Sequence, residues 1–212
     1  MTVKVTLFLD GRTAAGGTPL LMHNERLMDP LDSYTRALAK VTGKRKKTEA
    51  DHLEIGRLEF MGGLYTTIPL EADEPVADGL RLSYPTQNVV RSLQAGATKQ
   101  KLGRAVQRGV FPLEMFGDLT FDGDENIGDP DLLWKLGTFS LRKGVGVGQS
   151  KVMRTRGIFL DWTLTCHVEV DAAQVDLDQL EAALEQSGRY YGIGDYRPLH
   201  GRFTGSITEV AE

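Results

Sequence analysis

The opening decapeptide, MTVKVTLFLD, alternates polar and apolar residues from its start, which predicts a half-buried strand. DGRTAAGG then breaks the pattern, and TPLLMHN resumes it as a short apolar run at an edge. Asp32 or Ser33 is placed to cap a helix running through Leu38. Thr48 is placed to cap another, in which Leu53, Ile55, Leu58, Phe60 and Met61 make an imperfect stripe ended by Gly62 and Gly63. LYTTIPL, apolar and rich in threonine, predicts a further strand. The strongest helical period follows Pro85 and Thr86, where Val89, Val90, Leu93, Ala97 and Leu102 recur at helical spacing, weakened by Gly96 and Gly103. Residues 111 to 131 predict short strands and loops. GTFSLRKGVGVG and SKVMRTRGIF predict a hairpin around Gly148 and Gln149, and WTLTCHVEVD alternates clearly. Asp176 is placed to cap a last helix through Leu177, Leu180, Ala183 and Leu184, ending at Gly188 before a glycine-rich loop and a final strand.

The order strand, helix, two strands, helix, strand, with a large insertion after the first strand, is the split βαβ pattern. The expectation is an α+β chain with a ferredoxin-like (RRM-like) βαββαβ core. A chain of 212 residues, 41% hydrophobic and 25% charged, suits one elaborated domain over 1–212, with 25–70 as an inserted helical region. No repeat or Pro- or Ser-rich linker argues for a division. The start lacks the basic residues, long apolar stretch and cleavage site of a secretory signal. No window approaches the roughly 18 apolar residues of a membrane span, so the expectation is a cytoplasmic protein with no membrane partner. A single cysteine, Cys166, forms no internal disulfide and reads as a buried strand residue.

Charge changes the picture. The net charge of −4 argues against a polyanionic partner, but the charges are segregated. Residues 87 to 109 carry Arg91, Lys99, Lys101, Arg104 and Arg108 and no acid. Residues 141 to 157 carry Arg142, Lys143, Lys151, Arg154 and Arg156, and Lys44, Arg45, Lys46 and Lys47 form the run KRKK between two helices. Seven carboxylates concentrate between Glu114 and Asp131. Such segregation leaves a basic face on an acidic protein, although each run taken alone also reads as solvated surface. Arg154 and Arg156 alternate with Thr155, so on a strand both point to one face, where they could grip successive phosphates. Trp162 reads as a core filler or as a stacking surface beside them.

GIGDYRPLHGRF, residues 192 to 203, resembles the glycine-rich loop before the last strand of the repeat-associated mysterious proteins, the ferredoxin-like RNA-binding proteins of CRISPR effector complexes. The helix before it and the two basic strands fit the second half of that fold, and the chain resembles bacteriophage-encoded relatives of the backbone subunit. The resemblance implies a thumb-like insertion, which 25–70 could supply, RNA ahead of DNA as ligand, and other effector subunits as partners in a bacterial host. It also implies copies packed head to tail into an open filament. In physical terms, Gly192, Gly194 and Gly201 can take positive φ and expose amides to a phosphate. Arg189, Arg197 and Arg202 add charge, and Tyr190, Tyr191 and Tyr196 offer surfaces for bases. A tight corner that lets the helix pack on the sheet is the alternative reading.

No HxxxH, CxxC, GxSxG or phosphate-loop ending is present, so neither a metal nor a cofactor is expected, and the chain reads as non-enzymatic. His23 and His200 are the candidates if it is instead a metal-independent ribonuclease; His52 and His167 read as structural. A phage structural or inhibitory protein with an acidic protein partner is the third class. The expected function is sequence-tolerant binding of single-stranded nucleic acid.

Overall fold

A computed structural model describes residues 1–123, 129–148 and 150–210. Gln149, expected in the hairpin turn, and Asp124 and Glu125 of the acidic stretch lie outside the described residues. In chain order the elements are β1 (Thr2–Asp10), β2 (Leu20–Met22), α1 (Ser33–Thr42), α2 (Glu49–Gly63), β3 (Ser83–Pro85), α3 (Thr86–Ala97) and α4 (Gly103–Gly109). They continue with β4 (Val110–Pro112), β5 (Phe116–Thr120), α5 (Pro130–Leu136), β6 (Ser140–Val147), β7 (Ser150–Phe159), β8 (Thr163–Asp171), α6 (Leu177–Tyr190) and β9 (Thr204–Glu209). The chain is therefore α+β with antiparallel pairing. It gathers into two compact units: Met1–Leu21, Ser83–Asp124 and Phe159–Glu212 form the first, and Met22–Leu82 and Glu125–Ile158 the second.

The first unit is a sheet in the order β3-β5-β8-β1-β9, with β4 also pairing β8. These additions on the β8 side mean that the strand order is not that of a simple RNA-recognition-motif sheet. The predicted alternation of β1 and β8 is realised: Val5, Leu7 and Leu9, and Leu164, Cys166, Val168 and Val170, are buried, while Thr163, Thr165 and His167 are half-buried between them. Burial pushes the Cys166 thiol up to about 12, which keeps it protonated and unreactive. Asp176 begins α6 with a reciprocal cap, its side chain accepting from the Gln179 amide while Gln179 reaches back to the Asp176 amide. Helices α3 and α6 meet at glycine: a methyl on Gly96 would fall on the Ala183 carbonyl oxygen. Beside it Ser92 Oγ lies 2.7 Å from Ser187 Oγ and donates to the Gly192 carbonyl at 2.7 Å.

The single basic helix expected after Pro85 is two helices. α3 ends at Ala97, Lys101 takes a left-handed φ of 62°, and the Leu102 amide closes back on the Ala97 carbonyl at 3.0 Å. Trp162 is fully buried, its indole N–H donating to the Thr18 carbonyl at 2.9 Å and its ring edge-on to Phe203 at 6.2 Å. It is a core residue and offers no stacking surface.

In the second unit α2 starts on the predicted Thr48, which forms a capping box with Asp51. Asp51 also accepts from Lys44 Nζ at 2.5 Å, and these donors hold its carboxyl down at about 2. α1 packs on α2 where Gly62 lies against Leu27 and Tyr34. Phe60 faces Trp134 of α5 with ring centroids 5.6 Å apart. β6 and β7 pair as the expected hairpin, with Leu141 opposite Arg156 and Lys143 opposite Arg154. The strand expected at LYTTIPL does not form; Thr66 makes a single bridge to Leu82. Its threonines bond locally instead: Thr66 Oγ1 donates to the Ile68 carbonyl at 2.7 Å, and Thr67 and Arg81 exchange backbone and hydroxyl bonds. The 25–70 region, expected to be helical, holds α1 and α2.

Candidate nucleic-acid interface

Two of the basic runs, far apart in sequence, come together in the second unit. Lys47, from the loop before α2, and Arg142 and Arg154, from β6 and β7, line one groove of about 690 Å³. Its apolar lining comes from α1 and α2 (Leu38 and Ile55) and from β7 (Val152 and Met153), and His52 stands on the α2 side. Lys44, Arg45 and Lys46 are exposed beside Lys47, and Arg142, Lys143 and Lys151 are exposed on the hairpin.

The groove has an internal anchor that sequence reasoning missed. Glu59 interrupts the apolar stripe of α2 and is 2% exposed. Its Oε1 accepts from Arg154 Nη1 at 2.6 Å and its Oε2 accepts from the Thr155 amide at 2.8 Å. A buried carboxylate of this kind requires a charged partner, and Arg154 supplies it while keeping a side chain 42% exposed. The available signal was an acid at a core position of a helical stripe, between Leu58 and Phe60. Arg156 is only 8% exposed, so the two arginines expected to grip phosphates together do not both reach solvent. Burial of Thr155 and Arg156 as neighbours shows that the hairpin is covered on both faces there, which alternation alone could not reveal.

In the first unit, Arg91, Lys99, Lys101, Arg104 and Arg108 are all exposed, as the spacing predicts, with the break after α3 spreading them over two helices. Lys99 Nζ sits 3.5 Å from the centre of the Tyr190 ring, and Arg189 covers the same ring at 5.3 Å. The glycine-rich loop is a tight corner. Gly192, Gly194 and Gly201 all have the positive φ expected of them. Their amides, however, donate within the chain: Gly192 to the Ser187 carbonyl at 2.8 Å, Gly194 to Tyr84 Oη at 2.8 Å and Gly201 to the Pro19 carbonyl at 2.9 Å. In place of phosphate-facing donors, these glycines give close packing: a Cβ on Gly194 would stand 2.5 Å from the Leu21 carbonyl oxygen. Tyr196 is half-buried and holds a φ of 57°, while Arg197 and Arg202 are exposed.

His200 is half-buried with its ring edge-on to Tyr196 at 6.5 Å, and the His23 carbonyl accepts from Tyr65 Oη at 3.2 Å. His167 is held by Glu114, whose Oε1 accepts from the His167 amide at 2.8 Å and lies 3.1 Å from Nδ1. Among the described residues no cluster of three His, Cys, Asp or Glu could hold a metal ion, and no helix is long and apolar enough to cross a membrane.

No protein-family model matches this sequence, and no curated protein matches it. The functional reading therefore rests on the chain's own geometry.

Proposed function

We propose that this chain binds single-stranded nucleic acid, RNA ahead of DNA, along the groove of the second unit. The observation that carries the reading is the convergence of Lys47, Arg142 and Arg154 on one groove with an apolar lining. Lys47 and Arg142 at the rim neutralise phosphates and release counterions, Arg154 being offset by Glu59, and the lining of Leu38, Ile55, Val152 and Met153 receives base faces. The groove-lining residues include no tryptophan, tyrosine or phenylalanine, so phosphate neutralisation carries the affinity and the preference among sequences is weak. The first unit carries exposed cations of its own on α3 and α4.

A ferredoxin-like core belongs to the same proposal. It is supported by the succession β1, α3, β5, β8, α6, β9, whose strands lie in the order β5-β8-β1-β9 within the larger sheet. With it goes the kinship to CRISPR backbone subunits, in which copies line up along the strand.

The test is fluorescence anisotropy of labelled single-stranded RNA and DNA over a salt series, comparing the native chain with a Lys47→Ala, Arg142→Ala double variant. Both residues are exposed, so the fold is expected to survive. Losing two phosphate contacts lowers the slope of log affinity against log salt by about 1.4, at roughly 0.7 per contact for a single strand. No binding of either polymer at low salt overturns the proposal. An unchanged slope in the variant, with loss in an Arg91→Ala, Arg108→Ala control, overturns the groove as the site.

A further inference from the structure

The first unit carries a second, smaller cavity that the strand-binding reading does not use. It opens where the last turn of α6 meets the start of β9, and its volume is about 220 Å³. Arg189 and Arg202, which flank the glycine-rich corner in sequence, line it together with Thr204 and with Glu185, one turn back on the helix. We propose that this cavity is a phosphomonoester site.

Charge, preorganisation and size support this assignment. Neither Arg189 nor Arg202 has an ion-pair partner among the described residues, so both guanidinium forks are available to a doubly charged phosphate. Their launch points are fixed. Arg202 is clamped through its backbone, its amide donating to Thr18 Oγ1 at 2.9 Å and its carbonyl accepting from the Thr18 amide at 3.0 Å. Arg189 rests on the Tyr190 ring, whose other cation is Lys99. The walls at Gly188 and Gly205 are bare backbone: a methyl on either would collide with Phe203 or Leu184.

A helix C-terminus ordinarily repels anions through its unpaired carbonyls. Here Ser187 O accepts from the Tyr191 and Gly192 amides at 2.9 and 2.8 Å, and Gly188 O accepts from Phe203 at 3.3 Å, which blunts that repulsion. The cavity is smaller than the roughly 300 Å³ at which ordinary ligand pockets begin. It suits a phosphate and the sugar attached to it. Glu185 then opposes the phosphate and limits its affinity.

A terminal 5′-phosphate on a strand and a free sugar phosphate share this chemistry, and two arms of one experiment separate them. Calorimetry compares ribose 5-phosphate with ribose, and anisotropy compares 5′-phosphorylated with 5′-hydroxyl oligonucleotides. The expected result is a tenfold or greater preference for the phosphorylated form in at least one arm. That preference falls to unity in an Arg189→Ala, Arg202→Ala double variant and rises severalfold in Glu185→Gln. Preference in the oligonucleotide arm alone assigns the terminus of a strand; preference for ribose 5-phosphate alone assigns a free sugar phosphate. Equal binding of phosphorylated and unphosphorylated forms in both arms overturns the proposal. The ribose arm reads the cavity even if the chain binds no strand, and the Glu185→Gln gain reads it even if the arginine variant does not fold.

Discussion

Gly96 is the position where α3 and α6 touch, and Gly96→Ala tests whether that contact governs the first unit. In an isolated helix the change is stabilising by about 1 kcal/mol, because alanine is the better helix former. The packing reverses the sign. The new methyl would overlap the Ala183 carbonyl oxygen and stand 2.7 Å from the Ser187 nitrogen and 3.0 Å from its Cα. All three are backbone atoms of α6, so no rotamer change relieves the overlap. The helices must separate by roughly 1 Å, and overpacking of this kind costs about 1–3 kcal/mol. Separation also breaks the buried bonds from Ser92 to Ser187 and to Gly192, at about 1 kcal/mol each. The net expectation is destabilisation by about 2–4 kcal/mol after the propensity gain is subtracted. Urea unfolding followed by fluorescence in a Trp134→Phe background reads it, because Trp162 is buried in the same unit as the contact. A Gly96→Ala chain as stable as its parent, or more stable, would refute the reasoning.

Arg154→Ala leaves Glu59 buried with only the Thr155 amide, at a cost of about 2–3 kcal/mol. This is below the roughly 3–5 expected for a wholly buried pair, because Arg154 is partly solvated. Adding Glu59→Gln to that variant removes the stranded charge, so a double-mutant cycle should show coupling of about 1 kcal/mol or more; additive effects would refute the pairing. Asp51 titrates at about 2 in the folded chain against an ordinary 3.8, chiefly through its bond from Lys44 and then through the Thr48 amide. Its depressed value means that the stability it contributes is present above pH 3.8 and is lost as the pH falls through about 2. Asp51→Asn should therefore flatten the melting temperature between those two pH values, and an unaltered acid limb would count against the bond.

The local code of this chain was readable without coordinates wherever one residue type answers one local demand. Thr48 and Asp176 start their helices because a side-chain oxygen satisfies amides that have no partner in the first turn. β1 and β8 alternate because one face of each is buried. The positive φ at Gly192, Gly194 and Gly201 follows from the glycines of the loop. Non-local partners decided the rest. Alternation along MRTRGIF put Arg154 and Arg156 on one face, but only packing around the hairpin buries Arg156 and brings Arg154 onto Glu59, 95 residues away. The loop's amides looked available until Ser187, Tyr84 and Pro19 were brought against them. The groove itself joins a loop run to a hairpin that no sequence period connects. Periodicity reports which side of an element is buried, whereas a binding surface depends on which elements meet, and that is set by the tertiary fold.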